Sequence, residues 1–175
     1  MLRREFLVTP LILAGCGMDV ELVQSPLRRT TKNVFGAGVS NYWTPTFTAS
    51  VPGDLAVVYN GRVGEAVRDG DNIDISFRLW ADFTHTTASG DVRIGGLPYI
   101  ISNESFAIYY GAFYFDGITK ANYTQFTLIG VGDTAYMTIT ASGSAQAGVL
   151  LQVSDLTGGT LVFAGAMRYR TRAFS

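Results

Sequence analysis

The sequence predicts an all-β chain: an antiparallel β-sandwich, jelly-roll-like in kind, carried behind an extended N-terminal arm. Three observations point there. From Tyr42 onward Val, Ile, Thr, Tyr and Phe dominate, and Gly or Asp-Gly punctuates the chain at roughly ten-residue intervals. After residue 20 no stretch sets its apolar residues at helical spacing. Between Asn72 and Asp82, Ile73, Ile75, Phe77 and Leu79 alternate with Asp74, Ser76 and Arg78, as a strand does when successive side chains point to opposite faces.

Taken in order, residues 1–16 are apolar behind a basic start, and residues 17–41 mix charge with Pro26 and Gly, which reads as an arm or linker. The expected division is an anchor arm over 1–40 and a β-sandwich over 41–175. The clearest strand pair, 56–68 and 71–82, flanks Asp69-Gly70, a dipeptide suited to a type I′ hairpin turn. Further strands are expected near 91–95, 104–115, 123–130, 134–141, 147–153 and 160–169. In the last, Leu161, Phe163 and Met167 share one face, and Arg168 and Arg170 point to the other. The segment "SFAIYYGAFYF" (105–115) is apolar on both faces: Phe106, Ile108 and Tyr110 on one, Tyr109, Phe113 and Phe115 on the other. An antiparallel strand normally shows one face to water, so this one is expected either to sit between two layers of one chain or, the reading favoured by the low charge content, to meet a neighbouring subunit with its second face.

Composition narrows the function. Of 175 residues 47% are hydrophobic, enough for a sizeable core, but only 15% are charged. Globular domains average about 25%, so part of this surface is expected to face something other than water. Thirteen Lys and Arg against 14 Asp and Glu leave a net charge of −1, and no overall field draws the chain to nucleic acid. With a single Cys there is no disulfide framework.

A search for chemistry turns up no constellation. His85 is the lone histidine and has no Cys nearby, whereas a zinc site needs three or four N, S or O ligands. No G-x-S-x-G elbow is present, and "GAGVSN" and "GSAQAG" lack the Lys-Ser/Thr of a phosphate loop. "DGDNID" (69–74) lacks the central glycine and distant Glu of a calcium loop, and the hairpin turn explains it. Asp82, Asp91, Glu104 and Asp116 are the acids available for glycoside chemistry, yet no spacing pairs them. No catalytic residue, metal or cofactor is expected. Aromatic residues, 13% of the chain, are the distinctive resource, since Tyr and Trp anchor interfaces and stack on flat ligands. Most should fill the sandwich core and a subunit interface. Trp80 and Phe83, at a strand end beside Thr84, His85, Thr86 and Thr87, are expected to be exposed, which makes Trp80, Phe83 and His85 the candidate host-contact residues.

Three segments in series carry a resemblance. "NYWTPTFTAS" (41–50) resembles the Tyr-Thr-Pro-Thr entry of many bacteriophage tail-fibre tip domains, and "YNGRVGEAVRDGDNIDISFRLWADF" (59–83) resembles their next hairpin. "SGDVRIGGLPYIISNESF" (89–106) is similar to their Gly-x-x-x-Ile-x-Gly-Leu-Pro-aromatic pattern. The resemblance spans about residues 41–170 and implies a homotrimeric, non-enzymatic tip of a virion fibre or spike that touches a host-surface glycan or protein. It transfers no catalytic residue. Such tips usually end long fibres, whereas residues 1–40 alone precede this one, so a short spike on tail or head is expected.

That expectation bears on "MLRREFLVTPLILAGCGMDV". In the virion reading the leader stays on the chain, and Phe6, Leu7, Val8, Leu11, Ile12 and Leu13 form an apolar anchor that orders on docking to a tail, collar or capsid partner. The same residues also fit a lipoprotein signal, with residues 1–15 removed and Cys16 lipidated, which would place the protein at a bacterial outer membrane or in the periplasm.

Overall fold

In the computed structural model, residues 39–105, 107–157 and 159–171 are described. The anchor residues 6–13 and Cys16 fall outside them. Among the described residues the chain is all-β apart from one 3-10 turn at Val153–Asp155. The strands are β1 (Val39–Trp43), β2 (Thr46–Val51), β3 (Ala56–Asp69), β4 (Asn72–Thr84), β5 (Ser89–Gly95), β6 (Tyr109–Asp116), β7 (Gln125–Gly130), β8 (Tyr136–Gly143), β9 (Gln146–Leu150) and β10 (Gly159–Arg170). They form one antiparallel sheet in the order β1-β3-β4-β10-β6-β7-β8-β5-β2, with β9 added on β8.

β1 and β2 lie at opposite ends of that order, yet only Thr44 and Pro45 separate them in sequence. Two residues reach at most ~10 Å, so the sheet must curl until its two ends come together. The seam is tied by a side chain: the Phe47 amide of β2 donates to the Tyr59 hydroxyl of β3 at 2.8 Å. This covers part of an edge that would otherwise present open backbone groups.

Curling gives the sheet an inside. Ile73, Ile75, Phe77, Leu79, Ala81 and Phe83 of β4 pack there against Leu161, Phe163, Met167 and Tyr169 of β10. Phe47, Val92, Ile94, Leu128, Met137 and Ile139 complete the opposite wall. Rings meet edge-on across the middle, Phe163 against Phe113 at 5.2 Å and Phe47 at 6.1 Å, the geometry that aromatic quadrupoles favour. Trp43 lies directly over Gly64 of the neighbouring strand, where any Cβ would enter the indole.

Several expectations need adjusting. The β3–β4 loop is Gly70-Asp71 rather than Asp69-Gly70, because Asp69 pairs with Asn72. Gly70 has φ +60° and Asp71 is not among the positive-φ residues, the requirement of a type II′ turn rather than type I′. β1 begins at Val39, ahead of the expected boundary at 41. β6 starts at Tyr109, later than expected. After β5, Gly96 adopts φ +83° with its Cβ direction blocked by the Thr44 carbonyl, and the chain leaves the sheet toward Pro98.

Candidate functional site

The strand registers define a second surface, on the outside of β1-β3-β4-β10-β6. Val162 of β10 lies between Trp80 of β4 and Asp116 of β6, and Ala164 between Arg78 and Tyr114. Ala166 lies between Ser76 and Ala112. On the far side of β4, Gly61 faces Trp80, Val63 faces Arg78 and Glu65 faces Ser76, with Tyr42 of β1 beyond Glu65. The floor is therefore small residues and the relief is rings. Tyr42 is 83% exposed, Tyr114 64%, Tyr110 58% and Trp80 44%. Val58 and Val63 are open as well. Exposed rings gathered in this way, between Glu65, Arg78, Asp82 and Asp116, mark a contact surface more often than a solvated one.

Three shallow depressions open on this face. One of about 300 Å³ is lined by Tyr42, Val63, Glu65 and Arg78 among others, and a second of about 300 Å³ by Asp74, Tyr110, Ala112, Ala166 and Arg168 among others. The third, about 250 Å³, is lined by Gly61, Arg62, Val63, Arg78 and Trp80. All are open to solvent, suited to binding a surface rather than enclosing a substrate.

Of the three expected host-contact residues, Trp80 points outward. Phe83 does not: it is 3% exposed and meets Phe47 edge-on in the core. The reason is parity, since Phe83 falls on the same side of β4 as Ile73 through Ala81. His85 is half-buried, its ring stacked on Phe83 at a centroid distance of 5.8 Å. Its Nδ1 is buried without a partner among the described residues.

The loop that holds His85 is fixed from the adjacent β2–β3 turn by an acid that the sequence does not single out. The Asp54 carboxylate accepts from the amides of Thr86 (2.9 Å), Thr87 (2.8 Å) and Ala88 (3.2 Å), and from both threonine hydroxyls. The Thr86 hydroxyl, followed by the Thr86 and Thr87 amides, holds its pKa far below the ordinary carboxylate value. Asp82, on the outer face, accepts from Asn60 Nδ2 at 2.9 Å and from the Thr160 hydroxyl, and these two bonds lower its pKa in that order. The Asn60 bond exists because β3 has a bulge there: the register slips between Tyr59 and Gly61, and bulges re-aim side chains in this way. Asp91 accepts from Gln152 Nε2 at 2.6 Å, and Glu104 from Arg170 at 3.0 Å. These acids thus serve as local ties. No group of three or more His, Cys, Asp or Glu able to hold a metal occurs among the described residues.

The sheet is also polar in direction. The described chain enters with Val39 beside Arg68, near the Gly70-Asp71 turn. Thr171, near the last described strand, donates its amide to the Asp71 carbonyl at the same end. At the other end Ala56 pairs with Thr84, Val162 with Asp116, Gln125 with Ser142 and Val51 with Ser89. Loops 83–90, 116–122 and 141–146 therefore share the end opposite to the entry of the chain.

No family model, no curated protein and no solved structure matches this chain.

Proposed function

We propose that the chain is a non-enzymatic structural protein of a phage virion, a short fibre or spike joined to tail or head through residues 1–40, whose β domain serves host-surface recognition. The direction of the sheet carries this reading. The arm joins at the hairpin end, and three loops gather at the other, the arrangement a spike needs to be held at one end and to touch at the other. The tail-fibre resemblance of about residues 41–170 supports it from the sequence.

Association into a homotrimer belongs to the same proposal. Tyr110, Tyr114 and Ala112 of β6, with Ala164 and Ala166 of β10, present rings over a floor without branched side chains. Tyr-rich, charge-poor surfaces of this kind form the centres of protein interfaces. Packed against copies of itself, β6 would be covered on both faces.

The sequence Leu13-Ala14-Gly15-Cys16 favours a second reading, a lipoprotein beginning at Cys16. One experiment separates the two. An antibody raised against the β domain is used to label purified parent particles, and the intact mass of the native chain is measured. Label on particles, with residues 1–15 retained in the mass, is the expected result. A chain that starts at Cys16 with an added diacylglyceryl group, and no label on particles, overturns the spike in favour of the lipoprotein.

A further inference from the structure

Cations on the outer face fall into two groups. Toward the hairpin end each has an acid: Arg168 lies 3.7 Å from Asp74, and Arg170 is 3.0 Å from Glu104 and 3.9 Å from Asp71. Beside Trp80 it is different. Arg78 has no ion pair among the described residues, whereas Arg62, in register with the inward-facing Leu79, turns to the other side of β3 and lies over the Tyr59 ring, its guanidinium carbon 4.0 Å from the centroid. Glu65, the acid on this side of β3, is engaged by the Ser40 hydroxyl at 2.7 Å. One uncompensated guanidinium group, that of Arg78, therefore borders a shallow depression whose wall is an indole.

That indole is uncovered for a structural reason. Its cross-strand neighbour on β3 is Gly61, beyond whose Cα there is open space, and on β10 it is Val162. Further along β4 on the same face is Asp82, with both carboxylate oxygens positioned by Asn60 and Thr160. Arg78, Trp80 and Asp82 thus stand in a row at intervals of ~7 Å, two residues of strand rise each. The row offers an anion-binding fork, a flat ring and an ordered carboxylate–amide pair, each in a different place.

We propose that this row is a subsite for an acidic saccharide. The indole receives the C–H face of one sugar ring. Arg78 takes the carboxylate or phosphate, a geometry to which a guanidinium is suited. Asp82 and Asn60 accept and donate to the hydroxyls of the next ring. A second copy of the chain fits this end of the face less well, because a like subunit would bring the same uncompensated arginines toward one another. The proposal rests on the reading of the domain as a recognition unit and names its ligand class. β4 and β6 are two strand spacings apart, ~10 Å, which leaves the β6 surface free for association.

The test uses the full chain on an array of immobilised oligosaccharides ending in hexuronate, in sialate or in a phosphorylated sugar, each beside its neutral counterpart. Retention on at least one acidic member, about tenfold above its neutral partner, is expected, and Trp80→Ala and Arg78→Ala should each lower it about tenfold. The melting temperature of both variants should stay at the parent value, and Arg78→Ala serves alone if Trp80→Ala does not fold. The carboxylate and phosphate members distinguish the two anions. Equal retention on neutral members, no retention on any, or indifference to both substitutions overturns the subsite. Loss of the oligomer in Trp80→Ala also overturns it, by assigning the face to a second copy. Particle labelling is read independently, so failure of the subsite and failure of the spike reading are distinguishable.

Discussion

The two halves of the sheet have the same inside and different outsides. Strands β7, β8, β5 and β2 bury Leu128, Met137, Ile139, Val92, Ile94 and Phe47 just as β4 and β10 bury their own alternate residues. On the outside, the register rows of this half read Thr127 with Thr140, Ile129 with Thr138, and Thr138 with Arg93 beside Thr48. Arg93 lies 4.6 Å over the Tyr136 ring, and Thr138 is buried beneath its neighbours. That half finishes its own surface. The rows of the other half carry Tyr42, Val63, Trp80 and Tyr114, all open, with Glu65, Arg78 and Asp116 set between them. Since one half folds without exposed rings outside, folding does not require the exposed rings of the other. That surface is left for a partner.

The largest effect should come from the interior that the halves share. Phe163 is fully buried and its ring meets Phe113 of one half and Phe47 of the other. Phe163→Ala should cost roughly 3–5 kcal/mol, the lost transfer energy plus a cavity that stiff neighbouring strands cannot close. Chemical denaturation measures it. A cost below about 1 kcal/mol would mean that the two walls do not depend on a common core.

Next is Asp54, which ties the β2–β3 turn to loop 86–88. Its pKa lies below the ordinary carboxylate value, so its stabilising bonds are present at neutral pH and above the unfolded value of about 4, and are lost as pH falls toward the folded value. The parent chain should therefore lose melting temperature on acidification below about pH 4. Asp54→Asn should melt lower at pH 7 and lack that part of the slope. Parallel pH profiles for the two proteins would show that Asp54 contributes nothing to acid lability. Asp82, shifted the same way, should contribute a smaller slope that persists in the Asp54→Asn variant.

Much of this was legible along the sequence. Period-two alternation marks β4 and β10 because each is half-buried, and the same parity explains why Trp80 faces out. Extended three residues further it also places Phe83 inside, so nearness to a polar loop is a weaker guide than position in the alternation. The hairpin is legible but not its register, since Asp-Gly can sit either at the centre of a turn or across its edge, and only the Asp69–Asn72 pair decides. Neither the Asp54 tie, made to residues at least 32 positions away, nor the Asn60 bulge leaves a local pattern. The freedom of Arg78 is equally hidden, because whether a cation has an acid depends on the neighbouring strands.

A direct contrast of one arginine from each exterior gives a smaller effect. Arg93 covers Tyr136 and Thr138, and Arg93→Ala should cost about 1 kcal/mol through lost packing and cation–π contact. Arg78→Ala removes nothing the fold uses and should stay within about 0.5 kcal/mol of the parent. Equal costs, read from thermal or urea unfolding side by side, would abolish the distinction between the two surfaces.

The smallest effect on folding is expected where the effect on assembly is greatest. Tyr110 and Tyr114 are more than half exposed, and neither hydroxyl has a hydrogen-bond partner within the described chain, so the isolated domain gains little from them. The double substitution Tyr110→Ser, Tyr114→Ser should leave the unfolding free energy of the dilute subunit within about 0.5 kcal/mol. At higher concentration the outcomes should part, because binding to copies stabilises only the folded state and makes the melting temperature rise with protein concentration. The parent chain should show that rise and sediment as a trimer, and the double variant should show neither. If the variant still sediments as a trimer, β6 is not the contact. If instead it loses stability as a monomer, the rings belong to the fold, and the outside of this half is no freer than that of the other.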